Sequence, residues 1–163
     1  MKIRTHYLIA KIAIKDNKKL NKFQKVMFCI GSLLPDLTPN QVIHPHFYGN
    51  SKDYIFKKLD GLKEKKLSFI TAISYGKIAH YLSDFCCTAH KNGPSVKNYL
   101  WHRNYEKDIN KFAINNYEKL KIYFKKINNF STIHEILNSF YKSENSTYKN
   151  DLLLSIKACS LLI

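Results

Sequence analysis

Glycine and proline are scarce in this chain, and they cluster. There are 5 Gly and 4 Pro in 163 residues, and Pro35, Pro39 and Pro45 share with Gly49 the single stretch LLPDLTPNQVIHPHFYGN. The rest of the sequence runs long distances without a breaker, and its apolar residues recur three and four apart, the period of an amphipathic helix. A sheet of short strands would need turn residues far more often than this. The spacing therefore predicts an all-α fold, a multi-helix bundle forming one domain over residues 1–163.

Thr5 is placed to cap a first helix over residues 5–16, with Leu8, Ile9, Ile12 and Ala13 as its apolar stripe. A second helix is expected over 19–34, burying Leu20, Phe23, Met27, Ile30 and Leu34. The proline-rich stretch then reads as a loop. Helices follow over 51–62 and 67–88, the latter apolar enough through Phe69, Ile70, Ala72, Ile73, Ile78, Ala79 and Leu82 to be central. After the turn at KNGPS, a helix over 95–127 and two shorter ones over 131–143 and 147–160 complete the bundle.

The net charge of +15, from 27 basic and 12 acidic residues, draws such a chain towards anionic surfaces, phospholipid headgroups or nucleic acid. Arg4 and Arg103 are the only arginines, which excludes bidentate guanidinium recognition as the main device. The N-terminal apolar run is interrupted by Lys11 and Lys15, so it reads as neither signal peptide nor membrane span. A cytoplasmic protein, with peripheral association to anionic membrane, is the expectation. Cys29, Cys86, Cys87 and Cys159 show no disulfide framework and read as free thiols, Cys86 and Cys87 turned towards the core.

Chemistry gathers in AHYLSDFCCTAH, where His80 and Asp84 stand four apart and His90 six further on, and in WHRNYE, which repeats the four-residue step with His102 and Glu106. On a helix, residues i and i+4 point within about 40° of each other, so each pair could present a nitrogen and a carboxylate oxygen to one ion. Imidazoles and carboxylates without a thiolate cage suit zinc. If the helix continued from His80 to His90, the two would be about 15 Å apart along its axis. One ion cannot span that, so the helix ends near residue 88, the ligands divide into clusters, or both.

The ordered pattern HYLSDFCCTAH followed by HRNYE resembles the zinc-dependent phospholipase C family, which includes bacterial phosphatidylcholine-cleaving enzymes and alpha toxins. THYLIA, GSLLPDL and HPHFYGNS resemble the family's early histidine, first aspartate and following histidine, so the likeness spans His6 to Glu106. It implies an all-helical fold with a zinc cluster in a cleft between helices. It further implies that Asp36, His46, His80 and Asp84 bind one zinc, and His90, His102 and Glu106 another. His46 is preferred to His44 because HFYGNS is nearer the family pattern; His44 and His134 are given no role. A third zinc would use His6, Asp84 and the amine and carbonyl of the N-terminal residue. Secreted relatives carry a tryptophan there, farther from the histidine, whereas here Met1 stands five residues before His6.

The implied activity is a zinc-dependent hydrolase of phosphodiester bonds with two or three Zn2+ ions, cleaving phospholipid to diacylglycerol and phosphorylated headgroup. Asp36 would orient or deprotonate the attacking water. Two alternatives keep the metals: a single-strand nuclease, for which nucleic acid is the partner, and a non-catalytic metal-binding helical protein.

Overall fold

Gly31 and Gly76 let two helices meet backbone to backbone. A Cβ at Gly31 would collide with the carbonyl of Ile73, and one at Gly76 with the carbonyl of Phe28. The computed structural model describes residues 1–38, 45–91, 99–127, 129–144 and 147–163, and every regular element among them is helical. In chain order these are α1 (Ile3–Ala13), α2 (Lys22–Gly31), α3 (Leu34–Leu37), α4 (Tyr48–Lys63) and α5 (Phe69–Phe85). After a single 3-10 turn at Thr88–His90 come α6 (Tyr99–Asn115), α7 (Tyr117–Phe124), α8 (Ile133–Lys142) and α9 (Tyr148–Ser160).

The all-α expectation holds, and α5 is the central helix. It packs against α1, α2, α3, α4 and α9, and 12 of its 17 residues are buried, so its chemistry-bearing end is walled in on every side. Ser68 starts it: its hydroxyl accepts from the Thr71 amide while Thr71 Oγ1 accepts from the Ser68 amide. Similar reciprocal caps, Asn21 with Gln24 and Thr132 with Glu135, start α2 and α8. None of the described helices is long and apolar enough to cross a membrane.

Several local expectations are corrected. Thr5 does not cap α1: the helix begins two residues earlier, and the buried Thr5 hydroxyl donates to Asn110 Oδ1 of α6 at 3.1 Å. The proline-rich loop holds α3, with Pro35 in its first turn, and α4 starts at Tyr48 instead of residue 51. The long helix expected over 95–127 breaks at Asn116, whose amide nitrogen donates to the Phe112 carbonyl at 3.0 Å and whose backbone leaves the helical region. Ser95, where it was to begin, lies outside the described residues, as does His44.

The face of α2 differs most. Phe28 and Gly31 are buried, whereas Phe23 and Ile30 are exposed along with Val26. The sequence offers α2 two apolar faces, and the glycine contact with α5 selects the one that carries Gly31. At the start of α5, Phe69 and Ile70 are likewise exposed. Cys86 and Cys87 are fully buried and unpaired, as expected, and His134 lies on the surface.

Gly76→Ala is expected to destabilise the protein by about 3 kcal/mol, because the helices must separate to admit one methyl group. Thermal unfolding would register this as a fall of about 10 °C. Gly61→Ala in α4, where a Cβ meets nothing, should instead leave the midpoint unchanged or raise it slightly.

Candidate metal centre

The five imidazoles of His6, His46, His80, His90 and His102 and the carboxylates of Asp36, Asp84 and Glu106 converge in one region. They arrive on α1, α3, the segment before α4, α5, the 3-10 turn and α6. Three groups have ligand-type atoms within 4.8 Å of one another: His6, His80 and Asp84; Asp36, His46 and His80; and His90, His102 and Glu106. All eight residues singled out in the sequence are brought together. Asp84 lies with His6 and is also 2.9 Å from His46, so it stands between two of the sets that the resemblance implies, and His80 falls with both.

His90 reaches the centre because α5 stops. After Phe85 the chain turns, with the Cys87 amide donating to the Asp84 carbonyl at 3.0 Å, and the 3-10 turn carries His90 back until its Nε2 lies 3.8 Å from Asp84 Oδ1. The separation along a continued helix never arises.

Asp84 is the hub, fully buried at the end of α5. Its Oδ1 accepts from the Met1 α-ammonium at 2.6 Å and lies 3.5 Å from His6 Nε2; its Oδ2 lies 2.9 Å from His46 Nδ1 and 3.4 Å from His80 Nε2. The Met1 nitrogen is also 3.2 Å from Glu106 Oε1 and 3.4 Å from His90 Nε2. The N-terminal amine thus lies where the resemblance would put it, although Met1 stands only five residues before His6.

The outer ring nitrogens are held by the protein. His80 Nδ1 lies 2.9 Å from the Ser32 carbonyl and His90 Nδ1 3.1 Å from the His46 carbonyl, so both rings donate outward through Nδ1 and turn Nε2 inward. Ser83 settles His6 in the same way. Its hydroxyl donates to the His80 carbonyl at 2.7 Å, so it accepts from His6 Nδ1 at 2.8 Å. His6 Nε2 and His46 Nε2 are buried without a hydrogen-bond partner, and Asp84 Oδ2 has the His46 ring nitrogen at 2.9 Å. The His6 atom is turned towards Asp84, where an orphaned ring nitrogen is costly unless something else satisfies it, and a divalent cation fits the surrounding nitrogen and oxygen donors.

The electrostatics agree. Burial, then the neighbouring His80, holds His6 well below its ordinary value; burial likewise brings His80 down to about 3. Both rings are neutral, the form a metal requires. Burial pushes Asp84 up, but the Met1 ammonium, His90, His6 and His46 outweigh it and hold the carboxyl well below the usual range. Burial and the negative Asp84 instead push Asp36 up to about 6.

Among the described residues, the centre opens on a cavity beside His102 and Glu106. A cavity of about 300 Å3 is lined by Met1, Asp36, His46, His90, His102 and Glu106, with Pro45 and Phe47 as apolar wall. His6, His80 and Asp84 lie behind it, sealed from solvent.

One residue behind the centre escaped sequence reasoning. Asp151 of α9 is fully buried; Oδ2 accepts from the Thr88 amide at 2.7 Å and from the Tyr105 hydroxyl at 2.8 Å, and Oδ1 accepts from the Thr88 hydroxyl at 3.0 Å. It ties the turn that bears His90 to the helix that bears His102 and Glu106. Only the fold reveals it, since α9 has no ligand-like spacing.

The family described as zinc dependent phospholipase C matches the chain over residues 5–151. No curated protein and no solved structure matches it.

Asp151→Asn keeps the shape but replaces one acceptor oxygen by a donor. Zinc titration followed by calorimetry should show affinity lowered about 10- to 100-fold at the His90, His102 and Glu106 group, with the helical circular dichroism retained. Unchanged zinc binding would mean that the clamp does not position these side chains.

Proposed function

Because this chain belongs to the zinc-dependent phospholipase C family, we propose that it hydrolyses the phosphodiester of a phospholipid, releasing diacylglycerol and a phosphorylated headgroup. The observation that carries this reading is the set of three donor groups that lines and backs a cavity open to solvent, with His6 and His80 neutral and His6 Nε2 buried without a partner. His90, His102 and Glu106 would hold one zinc; Asp36, His46 and His80, with Asp84, would hold a second. His6, Asp84 and the Met1 nitrogen supply donors for a third. When bound, such ions lower the pKa of water and neutralise the charge of the phosphodiester.

The chain's own residues do the rest. Asp36 lines the cavity, so its carboxylate takes the proton of an attacking water. The water oxygen bonds to phosphorus as the bond from phosphorus to the glycerol oxygen breaks. Asp36 then returns the proton to that leaving oxygen. Pro45 and Phe47 exclude bulk water from one wall, and Ser32, Ser83 and the His46 carbonyl keep the histidines aimed inward.

Nuclease activity uses similar chemistry, and the exposed Tyr99 and Trp101 beside His102 offer rings on which bases could stack. The two are separated by assaying zinc-loaded protein for diacylglycerol release from short-chain phosphatidylcholine and for cleavage of single-stranded DNA. We expect lipid turnover, reduced about 100-fold or more in Asp36→Asn and abolished by a chelator. DNA cleavage without lipid turnover would replace the substrate; turnover of neither by zinc-loaded protein would make the chain a metal-binding protein without this activity.

A further inference from the structure

A second concavity lies between α4 and α5. Its volume is about 440 Å3, and Ile55, Leu62, Ile78 and Pro35 contribute an apolar floor. Lys57, Lys58 and Lys65 on one side and Lys77 on the other line it, and no acidic side chain does. Among the described residues, none of these four lysines forms an ion pair; the acidic Asp60 of α4 pairs with Lys63 instead. Four ammonium groups about an apolar floor repel one another unless an anion lies among them.

The groove has a direction. On α5, Ile70, Ser74, Lys77 and Tyr81 follow one another at intervals of four, three and four and share one face. At the inner end, Tyr81 lies in edge contact with His46 and His80, at ring centroid distances of 5.1 and 5.7 Å, and Pro35 precedes Asp36. At the outer end Ile70 is 63% exposed, and Phe69 beside it meets Phe23 of α2 edge to face at 6.3 Å. Phe23, Val26 and Ile30 continue as an exposed stripe along α2. This is the apolar face that the glycine contact turned outward. Apolar side chains standing beside a lysine-rimmed groove match the boundary of an anionic bilayer, where acyl chains meet charged phosphates. A nucleic acid would satisfy the lysines but would leave the apolar stripe facing water.

We propose that this groove seats the headgroup phosphate of an anionic phospholipid in a bilayer, with Ile70, Phe69 and Phe23 entering the interface, so that the protein docks by a site separate from the metal cavity. The inference deepens the phospholipase reading and rests on it for the lipid partner. Docking through α2, α4 and α5 would hold the enzyme at the surface while the metal cavity acts on other lipid molecules.

The test is sedimentation of the full chain with two kinds of vesicle, phosphatidylcholine alone and phosphatidylcholine mixed with phosphatidylglycerol. Carrying Asp36→Asn throughout keeps the vesicles intact. The paired substitution Lys58→Gln, Lys77→Gln should weaken binding to the anionic vesicles about 30-fold. The pair Lys119→Gln, Lys126→Gln, which removes the same charge from elsewhere, should cost less than about threefold. Ile70→Ser should weaken vesicle binding and leave any binding of inorganic phosphate unchanged.

Equal losses for the two lysine pairs would overturn the proposal, leaving only net charge. So would equal competition by inorganic phosphate and by vesicles, or tighter binding of a single-stranded oligonucleotide that the Lys58 and Lys77 pair controls. Helical circular dichroism and, in the Asp36 background restored to wild type, hydrolysis of soluble short-chain phosphatidylcholine should be unchanged by the lysine substitutions. If no lipid is hydrolysed at all, the catalytic reading fails while the vesicle comparison still decides the docking site.

Discussion

The structure turns on one carboxylate. Asp84 sits without solvent contact at the end of the central helix, and a buried charge costs several kcal/mol unless cations and donors surround it. Here the Met1 ammonium and the His46 ring nitrogen supply them, while His6, His80 and His90 stand around the same carboxylate with Nε2 turned towards it. Those partners belong to the N-terminus and α1, to the segment before α4, to α5 itself and to the 3-10 turn, so satisfying Asp84 draws these elements together. Packing and chemistry therefore specify the same arrangement. A cation among these groups would complete the set, because His6 Nε2 is otherwise buried with no hydrogen-bond partner, 3.5 Å from Asp84 Oδ1.

The glycine pair does comparable work for the scaffold. With Gly31 and Gly76 in backbone contact, α2 lies close enough for the Ser32 carbonyl at its end to accept from His80 Nδ1. The residues that follow place α3, and with it Asp36, at the cavity. The same contact leaves Phe23, Val26 and Ile30 outside the core. One close approach thus sets the aim of a metal-type histidine and the character of a distant surface.

How much of this was legible depended on whether the information was local. His80 with Asp84 and His102 with Glu106 were legible because a four-residue step on a helix fixes which side chains meet. The helix order was legible because breakers are rare and apolar residues keep the helical period between them. The buried face of α2 was misread because Phe23 and Ile30 fit the helical period as well as Phe28 does, and only the partner helix decides between them. Thr5 was misread as a cap because its hydroxyl finds Asn110, far along the chain. The N-terminal amine was legible only through the resemblance, and Asp151 could not be read at all, since it acts through contacts that exist only once α6 and α9 are packed around the 3-10 turn.

The most direct test of the central claim is elemental analysis of the purified protein for zinc, paired with thermal unfolding before and after chelation. The account predicts two or three zinc ions per chain and a clearly lower unfolding temperature once they are removed, because binding to the native state alone stabilises it. A protein that takes up no zinc when supplied with excess, and unfolds at the same temperature with and without chelator, would contradict it.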